Sequence, residues 1–326
     1  MLGAMPGSIE SATLRHESKL PFRYRACGLA IASDIALPGL LAGDGAGGTD
    51  LVVEAAALPE ELNEDVLLRG PNWQRTREAL LLRVPGVGRF RVVGEAAIQY
   101  QPEGGQGPED LTAFLTGSML GILLHLRGDV VIHASAVLAG DAAILFCGAS
   151  GAGKSTLAAA LGQRGYAMLA DDLSVLRPGA DGVLRVAPDG RCHKLWERSL
   201  GGLGLGDRRG DGVRHQINKY YVPPRKVATA PAPVAALYEL EEQRGDDAFG
   251  LEPLSLPDAA HAIRANAFRA RMMWRLGQGQ DYFRCAAQIA RQGRMATLRR
   301  PFDFARLDAV LDLLEADWAG AREQGA

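Results

Sequence analysis

GASGAGKSTLAAALGQRGYAMLADD, residues 148–172, decides the fold. It opens as a phosphate-binding loop and closes on two aspartates. Gly148-x-x-x-x-Gly153-Lys154-Ser155 matches the P-loop pattern in full. Each part of that pattern has a physical task. The glycines let backbone N–H groups turn inward around phosphates, and the following helix adds its positive N-terminus. Lys154 brings a point charge to the β- and γ-phosphates, and Ser155 offers a hydroxyl to Mg²⁺. Gly148, Ala149, Ser150, Gly151, Ala152, Gly153, Lys154, Ser155 and Thr156 are therefore expected to hold ATP with Mg²⁺. AAILFCG ahead of the loop reads as a buried strand, KSTLAAALGQRG as a helix and YAMLA as a second strand. That strand–loop–helix–strand unit belongs to an α/β core.

The aspartates say what kind of chemistry to expect. Asp171 and Asp172 follow Ser155 by 16 and 17 residues, at the end of a strand. Adjacent side chains there diverge, so that one reaches a metal and the other an incoming nucleophile. A carboxylate that takes a hydroxyl proton is how kinases orient an alcohol for in-line attack. The competing reading is a pair that merely begins a turn. His133 lies in VVIHASAV, read as the strand ahead of the loop strand. A lone histidine in an apolar strand is ordinarily a core residue. Beside the loop strand it would orient the phosphate or the aspartate base.

The remainder of the chain divides by pattern. Residues 1–20 lack an apolar signal segment and read as a loose tail. Residues 21–125 read as a β-rich N-terminal domain, short strands broken by turns and closing in an apolar helix at about 111–126. That helix is short for a bilayer, which needs about 20 apolar residues. Residues 126–326 form the P-loop domain, with a hairpin near 173–187, a strand at VAALYELE and a C-terminal amphipathic helix. The chain is 47% hydrophobic with a formal net charge of −2, which argues against a general nucleic-acid binder. Its four cysteines are scattered, as expected for reduced thiols of a cytoplasmic protein.

HASAV followed by GASGAGKSTLAAALGQRGYAMLADD resembles the core of the HPr kinase/phosphorylase family. The histidine, the loop, the RG and the ADD pair agree with that family in order and spacing. The resemblance covers about 130–178 and continues more weakly toward the C-terminus. It implies Asp172 as proton acceptor, Lys154 and His133 as active-site residues, and Ser155 as a Mg²⁺ ligand; Asp171 is then expected to help hold Mg²⁺ or to position Asp172. Two features depart from the HPr-directed members. Thr156 stands where they usually have Glu, and RCHKLWERSLGGLGLG replaces their E-x-R-G-x-G segment, leaving Glu197 as the metal candidate. The N-terminal YRACGLAIASDIALPGL is similar to HPr-kinase-like proteins of peptide-modification systems, some of which phosphorylate a serine of a lasso-peptide precursor. The partner implied is thus a serine-bearing peptide or protein, with no nucleic acid and no membrane, and the family suggests a homo-oligomer.

Only five lysines occur among 36 basic residues, which draws attention to each. Lys194 in GRCHKLWERSL is expected to meet phosphate or substrate. In the same segment Cys192 and His193 lack the partner motif a zinc site needs. HQINKYYVPPRK supplies Lys219, Arg225 and Lys226. By resemblance, a basic loop in this region closes over the transferred phosphate, and a solvated basic loop is the alternative. Residues 261–301 hold nine arginines and one acid, Asp281, which suits either an acidic partner or a solvated helix face. No L-S-G-G-Q or N/T-K-x-D motif is present, which argues against ABC-type and GTPase readings. A peptide serine kinase, a small-molecule hydroxyl kinase and a non-catalytic nucleotide-dependent regulator all remain compatible with the core.

Overall fold

The computed structural model describes residues 20–43, 47–63, 65–105, 107–215, 217–242 and 249–323. The tail expected over 1–20 lies, except for Leu20, outside them. The chain folds as α/β with mixed sheets. The first sheet is built from β1 (Phe22–Ala26), β2 (Leu29–Ser33), β3 (Leu51–Ala55), β4 (Leu68–Arg69), β5 (Trp73–Arg75), β6 (Ala79–Val84), β7 (Gly88–Val93) and β8 (Ala97–Pro102). Its order is β1-β2-β3-β8-β7-β6-β5-β4. The pairs β2–β3 and β3–β8 are parallel and the others antiparallel. Alternation places Leu80 and Leu82 of β6 with Phe90 and Val92 of β7 on the buried face.

The apolar helix packs on that face. It runs over 108–126, with Pro108 in its first turn, where a missing N–H costs nothing, and with its middle, Leu115–Met119, wound as a π-helix. Its buried Leu111, Met119 and Ile122 share one core with the first sheet and with Val131, Leu173 and Val175 of the second half. The hydrophobic core therefore crosses the boundary drawn at 125/126. No helix among the described residues is long and apolar enough to cross a membrane.

The second sheet carries the glycine loop. It comprises β9 (Val130–Ile132), β10 (Ser135–Ala139), β11 (Ala142–Cys147), β12 (Ala167–Asp171), β13 (Ser174–Pro178) and β14 (Leu184–Ala187). After a separate two-stranded ribbon of β15 (His193–Trp196) and β16 (Lys219–Val222), β17 (Ala232–Glu242), β18 (Gly250–Pro253) and β19 (Arg294–Arg300) complete it. β11, β17 and β19 are parallel neighbours. β10 is antiparallel to both β11 and β12, so β12 runs with β11. Period-two alternation splits β11 between two cores. Ala143, Leu145 and Cys147 face the helices Leu256–Ala265 and Gly279–Gln292, while Ile144 and Phe146 face Lys154–Gln163 and the C-terminal helix Leu307–Glu323.

One expectation needs correction. DVVIHASAVLAG is not a single strand. It breaks at His133 and Ala134 into β9, which pairs with β13, and β10, which pairs with β11 and β12. The backbone N–H of His133 leaves the ladder and donates to the Asn266 carbonyl at 2.7 Å. A chain crossing from one strand set to another must interrupt its pairing, and apolar composition on both sides hides the interruption.

Candidate active site

The topology gathers chemistry at one edge of the second sheet. The C-terminal ends of the parallel strands β11, β12 and β19 open there, onto the glycine loop, the aspartate pair and Arg300 respectively. β10 runs the other way, so its beginning, Ser135, and the preceding His133 reach the same edge. Ligands of open α/β sheets sit at such an edge. Here it borders a cleft of ≈ 680 Å³.

The loop is shaped by its glycines. Gly148, Gly151 and Gly153 have φ of 135°, 88° and 85°, a region L side chains rarely enter. A β-carbon on Gly148 would also lie 2.9 Å from the Leu240 carbonyl oxygen. The Gly148 N–H donates to Asn266 Oδ1 at 2.8 Å, which anchors the start of the loop to the end of the helix Leu256–Ala265. Lys154 is buried and its Nζ donates to the carbonyls of Gly148 (2.8 Å) and Ala149 (3.0 Å). Burial draws its ammonium below the ordinary lysine value. A cation folded onto neutral carbonyls is available to a stronger acceptor entering the cleft. Thr156 Oγ1 lies 2.9 Å from Ser199 Oγ.

The two aspartates occupy different environments, as divergent neighbours should. Asp171 is buried, and its Oδ1 accepts from Ser135 Oγ (2.6 Å) and Ser155 Oγ (2.8 Å). Its Oδ2 accepts from the Lys194 N–H at 3.2 Å and lies 3.4 Å from His193 Nδ1. Burial works to raise this carboxyl, but His193 and the two hydroxyls outweigh it and hold Asp171 below the usual carboxylate range. Asp172 sits at φ 82°, a strained turn for a residue with a β-carbon. That turn carries its carboxylate away from Asp171 and toward the cleft, where it meets Lys194 Nζ at 2.6 Å and His133 Nδ1 at 3.1 Å. His133 Nδ1 also lies 3.0 Å from the Asp172 carbonyl oxygen. Burial again raises, while the Lys194 ammonium and then His133 lower, and Asp172 ends well below the usual range.

Most of the residues singled out in the sequence meet here. His133, Lys154, Ser155, Thr156, Asp171, Asp172, Lys194, Glu197 and Lys219 all border the cleft. Lys219 Nζ stands 5.6 Å from the Trp196 ring centre. Arg225 does not join them. It lies with Lys226 in a separate small crevice beside Pro223 and Pro224, where the Met168 N–H donates to the Lys226 carbonyl at 2.9 Å and ties the segment to the start of β12, the end away from the aspartates. Glu197 is exposed and 3.4 Å from Arg209 Nη1. Among the described residues no group of three or more His, Cys, Asp or Glu could hold a metal. The donors that do face each other are the Ser155 hydroxyl and the Asp171 carboxylate. Hard oxygen donors of this kind fit Mg²⁺, which typically takes one or two carboxylates and completes its shell with water and substrate phosphates.

Several supporting residues were not read from the sequence. Ser135 shares Asp171 with Ser155. Asp189, wholly buried, accepts from the backbone N–H groups of Asp171 (2.5 Å) and Arg191 (3.1 Å), and burial pushes its carboxyl up to about 8. Asn266 holds both Gly148 and, through its carbonyl, His133. Arg300 and Phe302 border the cleft on the side of the loop.

No family model matches this chain, and none of the curated proteins does. Among solved structures it has a remote likeness to the HPr(Ser) kinase/phosphatase from Coxiella burnetii. The two are 13% identical, the match covers 59% of this chain and 98% of that one, and the TM-score is 0.31.

Proposed function

We propose that this chain is an ATP-dependent kinase that transfers the γ-phosphoryl group to a hydroxyl, and that the acceptor is a serine of a peptide or protein. The observation that carries the reading is the division of labour between Asp171 and Asp172. One carboxylate is turned inward onto the loop serine; the other is held at the cleft by a lysine and a histidine. A nucleotide-binding regulator needs only the first. The second is the arrangement phosphoryl transfer to an alcohol requires. The peptide, rather than a small molecule, rests on the family resemblance of the sequence.

In this reading the loop amides and Lys154 cradle the phosphate chain of ATP. Ser155 and Asp171 would hold Mg²⁺, which when bound neutralises charge on the phosphate oxygens. Asp172 accepts a hydrogen bond from the acceptor hydroxyl and aims its oxygen at the γ-phosphorus. The new O–P bond forms as the bond to the β-phosphate oxygen breaks, ADP leaves, and the hydroxyl proton passes to Asp172. A carboxylate held this far below its usual range is a weak base. Its main contribution is therefore orientation, which suffices for a loose transition state with little early proton transfer. Lys194 and His133 keep Asp172 ionised and pointed at the cleft, and Lys194 is placed to pair with the transferred phosphate.

The test is incubation with γ-labelled ATP and Mg²⁺, alone, with serine-bearing precursor peptides, and with small hydroxyl compounds. Label on a peptide serine supports the full proposal. Label only on small compounds keeps the kinase and removes the peptide. Nucleotide binding without transfer to any acceptor removes the kinase.

A further inference from the structure

Arg300 is out of place unless something anionic binds beside it. It ends β19, is 6% exposed, and borders the cleft next to the glycine loop. Its Nη2 donates to the Ala152 carbonyl at 2.7 Å, and its Nε has no partner. Among the described residues no carboxylate opposes its charge, although the other buried arginine, Arg191, has Asp189 and Asp172 nearby. Burial alone pulls Arg300 down to about 10, with no acid to oppose it. An unpaired buried cation is costly, and folds retain one where a ligand supplies the counter-charge. The loop is built around it: a β-carbon on Gly153 would lie 2.4 Å from Arg300 Nη2.

The next residues make the neighbouring wall apolar. Phe302 is 40% exposed, with its ring centre 5.3 Å from the Arg300 guanidinium. Phe304 packs so closely on Gly202 that a β-carbon there would meet its ring at 2.6 Å, and Leu307 continues the same surface. Gly202 closes the short helix that contains Ser199, the partner of Thr156. A guanidinium against the loop and an aromatic ring beside it match the two halves of a nucleotide.

We infer that the segment from Arg300 to Phe304 is the nucleotide-holding wall of the cleft, with Arg300 on the polyphosphate and Phe302 against the base. This rests on the nucleotide reading above and assigns new residues to it. The wall offers the base a ring face, and stacking on a ring face does not distinguish one base from another, so it accepts ATP and GTP alike.

Binding of ATP, GTP and inorganic tripolyphosphate, each with Mg²⁺, is measured by calorimetry for wild type, Arg300→Gln, Arg300→Met and Phe302→Ala. Charge-assisted bonds of this kind carry at least about tenfold in affinity. Arg300→Gln is expected to weaken ATP and tripolyphosphate by that factor or more. Phe302→Ala should weaken ATP and GTP and leave tripolyphosphate unchanged. Removing an unpaired buried charge should also raise the ligand-free melting temperature of Arg300→Met, by about 2 °C, whereas a merely structural arginine would lower it. Wild-type affinity in the Arg300 variants, or equal losses of all three ligands in Phe302→Ala, overturns the inference while leaving nucleotide binding intact. Failure of the wild type to bind any of the three removes the nucleotide reading itself.

Discussion

Replacing Lys194 by methionine removes the ammonium that stands 2.6 Å from Asp172 and leaves the methylene stem in place. At an effective dielectric of about 20 the gross attraction at that distance is about 6 kcal/mol. Desolvation of both groups cancels a large part of this. The two side chains are 11% and 19% exposed, so the pair behaves nearer to a buried bridge than a surface one. Breaking it from one side should cost about 3 kcal/mol, which lowers the melting temperature by about 4 °C for a chain of this size. The loss arises from the stranded carboxylate. Lys194→Met combined with Asp172→Asn should therefore recover about 2 kcal/mol relative to the sum of the single changes. The pH dependence has a definite sign. Asp172 is depressed in the folded state, so the pair's contribution is complete above about pH 4 and is lost as pH falls through the folded-state value. The gap between wild type and Lys194→Met should thus be widest near neutrality and close on acidification. The assay is thermal and urea unfolding of the four proteins at a series of pH values. Additivity of the single changes within about 0.5 kcal/mol, or a gap that widens in acid, would refute the reasoning.

Other consequences follow from the same contacts. Asn266→Ala orphans the buried Gly148 N–H and should cost about 1–3 kcal/mol. Because that N–H opens the loop, calorimetry should also find nucleotide affinity reduced, and unchanged affinity would show that the anchor is dispensable. Burial raises the thiols of Cys27 and Cys192 to about 11 and that of Cys285 to about 12, and Cys147 is raised as well. None should react with a thiol reagent at pH 8 until the protein unfolds, and all four should then react. Rapid labelling of any native thiol would contradict the packing described for it. Gly153→Ala forces a side chain into φ 85° and into Arg300. It should abolish nucleotide binding while the far-UV circular dichroism stays that of the wild type, and retained binding would mean that the loop tolerates a different shape.

The parts of the site that are local in sequence were legible. Gly148 to Ser155 carries its own backbone requirement, and the aspartate pair sits one strand–helix–strand unit away. Both are written in residue type and spacing. His133 was legible as a residue and not as a conformation, because the strand break around it lies between uniformly apolar flanks. Asn266 and Arg300 were hidden for another reason. They come from a helix end and a strand end more than 100 residues beyond the loop, and only sheet order brings them back to it. Arg300 was one of nine arginines in a single stretch, and burial alone distinguishes it from exposed neighbours such as Arg284 and Arg291. Asp189, within APDGR, has the composition of an ordinary turn; its use as a backbone anchor is visible only in three dimensions. The basic cluster of Lys219, Arg225 and Lys226 looks continuous in sequence, while in space Lys219 borders the cleft and Lys226 is bonded to the start of β12.

The central claim is that Asp172 directs a hydroxyl at ATP. Its most direct test is intact-mass analysis of serine-bearing precursor peptides incubated with ATP and Mg²⁺, with wild type compared against Asp172→Asn. A gain of one phosphoryl group is expected with the wild type, and with the variant, which loses the charged acceptor that orients the hydroxyl, a rate about 100-fold lower, at unchanged nucleotide affinity. A peptide phosphorylated at the wild-type rate by Asp172→Asn would contradict it.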